Sequence, residues 1–194
     1  ERTLNQEINR EICESISQRN GLPEPVHGQD IFECERLLQD GDGNPLDLGL
    51  VGEIHLVRSS VLDTLMGGGR IPVISPLAMG PDGRVHNVNA DAAASRLAAA
   101  IGARRLVYLC DVPGLLMDPG DPASLISSVS RAEVPALRRE GIIGSGMLPK
   151  VESAVEALAR GVHRVHLIDG RLSHSILLEI FTDKGVGTEI VHAS

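Results

Sequence analysis

The stretch "GSGMLPKVESAVEALARGVHRVHLIDGRLSHSILLEIF", residues 144–181, runs from a glycine-rich loop through a helical pattern and an apolar strand into a second helical pattern. From Val151, apolar residues recur at Ala154, Val155, Leu158 and Ala159, the spacing of one helix face, and Gly161 supplies the stop. "HRVHLI" (163–168) reads as a strand and "SHSILLEIF" (173–181) as a helix. Apolar strands alternating with helices build parallel sheets that are covered on both faces. One residue is out of place. Lys150 stands at the head of the first helix, where the macrodipole disfavours a cation.

The same alternation extends outward. Leu4, Ile8, Ile12 and Ile16 trace one face of an N-terminal helix that stops near Asn20-Gly21. Residues 31–38 and 46–57 are expected to be extended, and "DGDGNP" (40–45) between them reads as a hairpin or short excursion. A short helix follows, with Ser60 and Asp63 spaced as a capping box and Gly67-Gly68-Gly69 at its end. "IPVIS" (71–75) is predicted to be a buried strand. Residues 85–103 enter a helix that is apolar nearly all round, so deep burial is expected. "RRLVYLCDV" (104–112) and "TEIVH" (188–192) are further strands. Ser130 and Glu133 open another helix, with Pro135 tolerable in its first turn. The fold class is α/β, with a mainly parallel central sheet and helices on both faces.

At 194 residues the chain suffices for one full domain or two small ones. Hydrophobic content of 42% and mean hydropathy of +0.05 describe an ordinary soluble protein. Phe32, Tyr108 and Phe181 are its only aromatic residues, so base stacking is nearly excluded as a binding mode. The net charge of −8 argues against nucleic-acid and anionic-membrane partners. No apolar run approaches the ~18 residues of a membrane span and no signal peptide leads the chain, so a cytoplasmic protein is expected. Cys13, Cys34 and Cys110 fit neither a disulfide framework nor a zinc site. No metal ligands are assigned.

Ligands of such sheets gather at the carboxyl ends of strands. In "HNVNAD" (86–91), Asn89 reads as the helix N-cap, and Asp91 in the first turn suits the dipole or serves a site. Asn87 has neither structural excuse, and its amide could orient a small polar substrate. In "CDVPGLLMD" (110–118), Asp111 ends a strand before the Pro113-Gly114 turn, where it either satisfies loop amides or meets a nucleotide or magnesium ion. Backbone N–H groups of Gly144-Ser145-Gly146 and the helix start form an anion site, which Lys150 biases toward phosphate. The alternative is a solvated lysine in a flexible turn. Walker and G-x-G-x-x-G fingerprints are absent. His163 and His166, three apart on a strand, point to opposite faces, and neither is assigned as a ligand.

Together these loops resemble the amino-acid kinase family. The matching stretches are "DLGLVGEI" (47–54), "IPVISPLAMGPDGRVHNVNADAAA" (71–94), "LVYLCDVPGLL" (106–116), "GIIGSGMLPKVESA" (141–154) and "IDGRLSHSILLEIFTDKGVGTEIV" (168–191). The resemblance is weakest over residues 1–45. It implies transfer of the ATP γ-phosphoryl group, with Mg2+, to the side-chain carboxylate of N-acetyl-L-glutamate, giving N-acetylglutamyl 5-phosphate in arginine biosynthesis. By the resemblance Asn87 binds substrate, Asp91 organises catalytic lysines, and Lys150 stabilises the transition state. Asp111, Val112, Pro113, Gly114, Leu115 and Leu116, with Ile142, Ile143 and Gly144, match the nucleotide loops.

The tail is similar to that of arginine-inhibited members, which implies an L-arginine site at His174, Glu179 and Gly187. A homo-oligomer is implied as well. Residues 1–60 are expected to be the remnant of an amino-acid-substrate lobe, and 61–194 a nucleotide-binding lobe. The family's N-terminal lysine loop, second glycine loop and substrate-binding arginine have no counterpart in these residues. Taken alone, the chain is therefore expected to lack half of the substrate site and one catalytic lysine, and so to be inactive by itself. Cys110 also departs from the family's usual Ser or Thr, and "IGSG" from its usual Ser-Gly-Gly order. Two alternatives stay open: a kinase for another acidic amino-acid derivative of aminoadipate type, and a non-catalytic arginine-binding domain.

Overall fold

The computed structural model describes residues 1–39, 43–183 and 185–192. The chain divides into two compact units, Glu1–Ile101 and Gly102–Ser194.

The first unit opens with a π-helical segment, Thr3–Ile8, that continues into α1 (Asn9–Ser17). Its burial reverses the sequence expectation: Ile8 and Ile12 are exposed, whereas Asn5 and Asn9 are buried. Hydrogen bonds explain the reversal. Ser75 Oγ donates to Asn5 Oδ1 at 2.6 Å, Asn5 Nδ2 donates to Gln29 Oε1 at 3.2 Å, and Asn9 Nδ2 donates to the Val73 carbonyl at 2.7 Å. Buried amides with fixed partners are tolerated where unpaired ones are not.

β1 (Pro23–Val26) pairs in parallel with β4 (Ile71–Ile74) as a two-stranded sheet. β4 is not buried as expected, because within this sheet it has one neighbour, and Ile71 stays exposed. Between them lie α2 (Gly28–Ile31), β2 (Phe32–Arg36), β3 (Val51–Val57) and α3 (Ser60–Gly67). β2 and β3 are antiparallel, as the hairpin reading requires, although residues 40–42 of the connector lie outside the described residues. The second strand begins at Val51 rather than at residue 46.

The expected Ser60–Asp63 box does not form. Ser59 takes the N-cap position without a side-chain bond, which puts Ser60 one residue inside the helix. The glycine stop does form: Gly69 has φ +72°, and Arg70 N–H donates to the Leu65 carbonyl at 3.0 Å in the Schellman arrangement.

β5 (Leu77–Met79) and β6 (Val85–Val88) close a four-stranded barrel, β2-β3-β6-β5. Its core holds Phe32, Cys34, Ile54, Ala78 and Val88. A Cβ at Gly52 would lie 2.5 Å from Cys34 Sγ, so only glycine fits there. α4 (Ala90–Ala100) buries Ala93, Ser95 and Ala98 and packs against β3, but is half-buried over much of its remaining surface rather than buried all round.

The second unit contains β7 (Arg105–Cys110), β8 (Ser128–Ser130), α5 (Val134–Arg139), α6 (Leu148–Ala159), β9 (Arg164–Asp169), α7 (Ser175–Phe181) and β10 (Thr188–Val191). Its sheet runs β7-β9-β10-β8, with parallel β7–β9 and β8–β10 pairs around one antiparallel β9–β10 pair. Val165, Leu167 and Ile168 of β9 are fully buried. α6 packs on β7, β9 and β10 through Val151, Ala154, Ala157 and Leu158. Val155 is only half-buried and Ala159 is exposed, so the face is rotated slightly from the sequence reading. Gly161, at φ +102°, ends the helix, and Val162 N–H reaches back to the Ala157 carbonyl. α5 starts at Val134, but Glu133 still accepts the Ser130 N–H at 2.7 Å, which is half of a capping box.

The α/β class is as the sequence predicts. The units divide at Ile101/Gly102, beyond the 60/61 boundary expected from the sequence, because β5, β6 and α4 belong with β2 and β3. Among the described residues no helix is long and apolar enough to cross a membrane.

Candidate active site

In the first unit, strand alternation sets the presentation of β6. His86 and Val88 point into the barrel, while Asn87 and Asn89 face outward on one side. The Asn87 backbone is fixed by register with Leu77 and Val51, and its N–H donates to the Leu50 carbonyl at 2.8 Å. Its side-chain amide makes no hydrogen bond among the described residues, and so remains available to a ligand. Asn89 is the N-cap of α4 and accepts the Ala92 N–H at 3.0 Å. Asp91 sits half-buried in the first turn of that helix, where the dipole favours its charge. The strand–cap–helix junction thus gathers Asn87 and Asp91 in one short segment.

In the second unit, topology brings three predicted segments to one edge. β7 and β9 are parallel and in register from Arg105–Arg164 to Cys110–Asp169, so Asp111 leaves the sheet at their shared carboxyl end. α6 joins β9 through only Arg160–His163. The six residues of β9 span about 20 Å and the twelve of α6 about 18 Å, so the helix start returns to that same end. Lys150 is in the first turn of α6, half-buried, with Ile142–Gly146 just before it.

The 112–116 loop is anchored from beneath. A Cβ at Gly114, φ +150°, would lie 2.5 Å from Thr188 Oγ1; that hydroxyl accepts the Leu115 N–H at 2.8 Å and donates to the Ile126 carbonyl at 2.7 Å. Leu115 is buried, whereas Asp111 is exposed. In the second loop Ile143 is buried, while Gly144, Ser145 and Gly146 are exposed, with open space around both glycines. Exposed glycines before a helix start, with a lysine on its first turn, have the chemistry to receive an anion. Among the described residues no three His, Cys, Asp or Glu side chains gather as a metal site.

A separate cavity of about 260 Å³ in the second unit is lined by Arg105, Arg164, His166, Glu179, Asp183 and Glu189, among others. Glu179 is its structural centre. Its Oε1 is 2.7 Å from His166 Nδ1, and its Oε2 accepts the N–H groups of Val186 (2.7 Å) and Gly187 (2.9 Å). Burial pushes the Glu179 carboxyl up, but these donors and the imidazole outweigh it and hold the group below the ordinary carboxylate range. Glu179 and Gly187 are therefore brought together as the sequence proposed. His174 is not among the cavity residues; it is the exposed N-cap of α7, at φ +60°. The histidine that meets Glu179 is His166, whose buried Nε2 has no hydrogen-bond partner among the described residues. The sequence did carry a signal for this pair: a histidine inside "VHLI" and a glutamate inside "LLEI" each interrupt an apolar run, and buried polar groups require partners.

Comparison with known proteins identifies the family. The profile of the amino acid kinase family matches residues 3–169, and the chain belongs to that family. Among curated relatives, the acetylglutamate kinase of Pelotomaculum thermopropionicum is 46% identical over 190 residues, covering 94% of this chain and 64% of that protein. The acetylglutamate kinase of Moorella thermoacetica is 45% identical over 190 residues, covering 95% and 64%. The chain thus spans just under two thirds of the length of these relatives. Among solved structures, N-acetylglutamate synthase from Neisseria gonorrhoeae, complexed with coenzyme A and L-arginine, superposes with a TM-score of 0.76. It is 29% identical and covers 89% of this chain and 38% of that one.

Proposed function

We propose that this protein transfers the γ-phosphoryl group of ATP to the side-chain carboxylate of N-acetyl-L-glutamate. A carboxylate oxygen attacks the γ-phosphorus, the bond to the β,γ-bridging oxygen breaks, and ADP leaves as the acyl phosphate forms. The observation that carries this reading is the single edge of the second unit, where Asp111, the 142–146 loop and Lys150 collect at the carboxyl end of β7 and β9. Both reactants are anionic, so the protein's work is positioning and charge stabilisation. Lys150 and the loop N–H groups supply the charge stabilisation, and Asn87 orients the acceptor. Magnesium, when bound, neutralises charge on the phosphates; Asp111 is the exposed carboxylate suited to it, and Mg2+ commonly needs only one or two carboxylates plus substrate oxygens. The kinship with acetylglutamate kinases favours N-acetyl-L-glutamate over an aminoadipate derivative as acceptor. Trapping the acyl phosphate with hydroxylamine tests the choice: hydroxamate should form with N-acetyl-L-glutamate and not with N-acetyl-2-aminoadipate, and the reverse would overturn it.

We also propose that the Glu179 cavity binds L-arginine as an inhibitor. Carboxylates at Glu179, Asp183 and Glu189 suit a guanidinium, and Arg105 and Arg164 suit an α-carboxylate. The related synthase solved with L-arginine supports the choice of ligand. Titration with L-arginine should lower kinase activity in the wild type and much less in Glu179→Gln. A wild type insensitive to L-arginine would discard the site.

A further inference from the structure

The carboxyl end of β9 holds a cation that the nucleotide reading leaves unused. Asp169 ends β9 opposite Cys110, and the Gly170 N–H donates to the Cys110 carbonyl at 2.8 Å, so the exits of β7 and β9 are tied together. Arg171 follows directly. Its Nε and Nη2 donate to the two oxygens of Asp169 at 2.9 and 2.8 Å, and its backbone N–H donates to Asp169 Oδ1 at 2.9 Å. A guanidinium gripped by a carboxylate fork has a fixed plane. Its third nitrogen, Nη1, makes no hydrogen bond among the described residues, and the side chain is 67% exposed. Asp111 is close enough for its charge to act on Arg171, and it has no hydrogen-bond partner of its own among the described residues.

The plain alternative is that the pair merely closes the turn into α7. The backbone N–H bond to Asp169 already closes that turn, and an exposed ion pair adds little stability. The guanidinium is thus held in place at an edge where Lys150 is the one cation so far assigned to a ligand bearing several negative charges.

We infer that Arg171 is a nucleotide-binding residue: oriented by Asp169 at the shared carboxyl end of β7 and β9, it presents Nη1 to the phosphate chain of a nucleoside triphosphate. This rests on the nucleotide reading of the second unit and adds a second cation to it. Asp169 acts here as a positioning residue.

Calorimetric titration of ATP and of adenosine into the wild type, Arg171→Met, Arg171→Lys and Asp169→Asn tests the inference. Arg171→Met should raise the Kd for ATP about tenfold or more, since it removes a charged hydrogen bond, and leave adenosine binding unchanged. Arg171→Lys should recover part of the loss, and Asp169→Asn should fall between wild type and Arg171→Met. Wild-type ATP affinity in Arg171→Met overturns the inference alone. Equal weakening of ATP and adenosine assigns Arg171 a structural role and also overturns it. A wild type that binds no ATP overturns both this inference and the nucleotide reading beneath it.

Discussion

Glu179 shows how a single residue couples stability to a candidate site. Its side chain is 5% exposed, and two backbone N–H groups and His166 surround the carboxylate and favour its charged form. Since its folded pKa lies below the ordinary value, its contribution is fully present above the unfolded value near ~4.3 and is lost as pH falls through the folded one. Glu179→Gln should therefore be less stable than wild type in urea unfolding at pH 7, with the gap narrowing as the buffer is taken toward pH ~3.5. A gap unchanged across that range would mean that the charge contributes nothing. At this scale the sequence was partly legible. Glu179 and Gly187 stood out, but their partner His166 lies thirteen positions from Glu179 on a different element. Spacing on one strand or helix carries no record of such a contact. Only the expense of leaving a histidine unpaired in an apolar strand hinted at it.

Among the elements, the junction between β6 and α4 was the most legible, because a cap is a local event. Asn89 satisfies an orphan N–H of α4, so Asn89→Ala should cost about 1 kcal/mol, read as a lower urea midpoint with unchanged m-value. A midpoint equal to wild type would show that water replaces the cap at no cost. The glycine stops of α3 and α6 were legible for the same reason. The N-terminal helix was not. Its apolar residues follow the helical period, yet the buried side is the one carrying Asn5 and Asn9, because tertiary partners at Val73 and Ser75 accept and donate there. A hydrophobic period identifies a helix, but it fixes which face is buried only when polar residues lack buried partners. The Ser60–Asp63 box failed by one residue, a shift that local pattern does not resolve.

For the whole molecule, the alternation of strands and helices announced the α/β class, whereas the barrel in the first unit stayed hidden. Its strands run from three to seven residues, and closure depends on the one register pair Glu33–Met79, distant in sequence. The division at Ile101/Gly102 follows from that closure and was invisible for the same reason. The candidate nucleotide edge was legible in outline because the rule it obeys is topological: parallel strands with a short helix-to-strand return put the helix start and the strand exits at one end. The proposed nucleotide site also accounts for the misplaced cation of the sequence. A lysine on the first turn of α6 opposes the helix dipole, but a phosphate group placed between helix start and ammonium interacts favourably with both. The most direct measurement is kcat for ADP formation from ATP and N-acetyl-L-glutamate, in protein that also carries the family's N-terminal lysine and glycine loops, with and without Lys150→Ala. A fall of ~10²-fold or more, with an unchanged melting temperature, is the predicted result; an intact kcat in Lys150→Ala would contradict it.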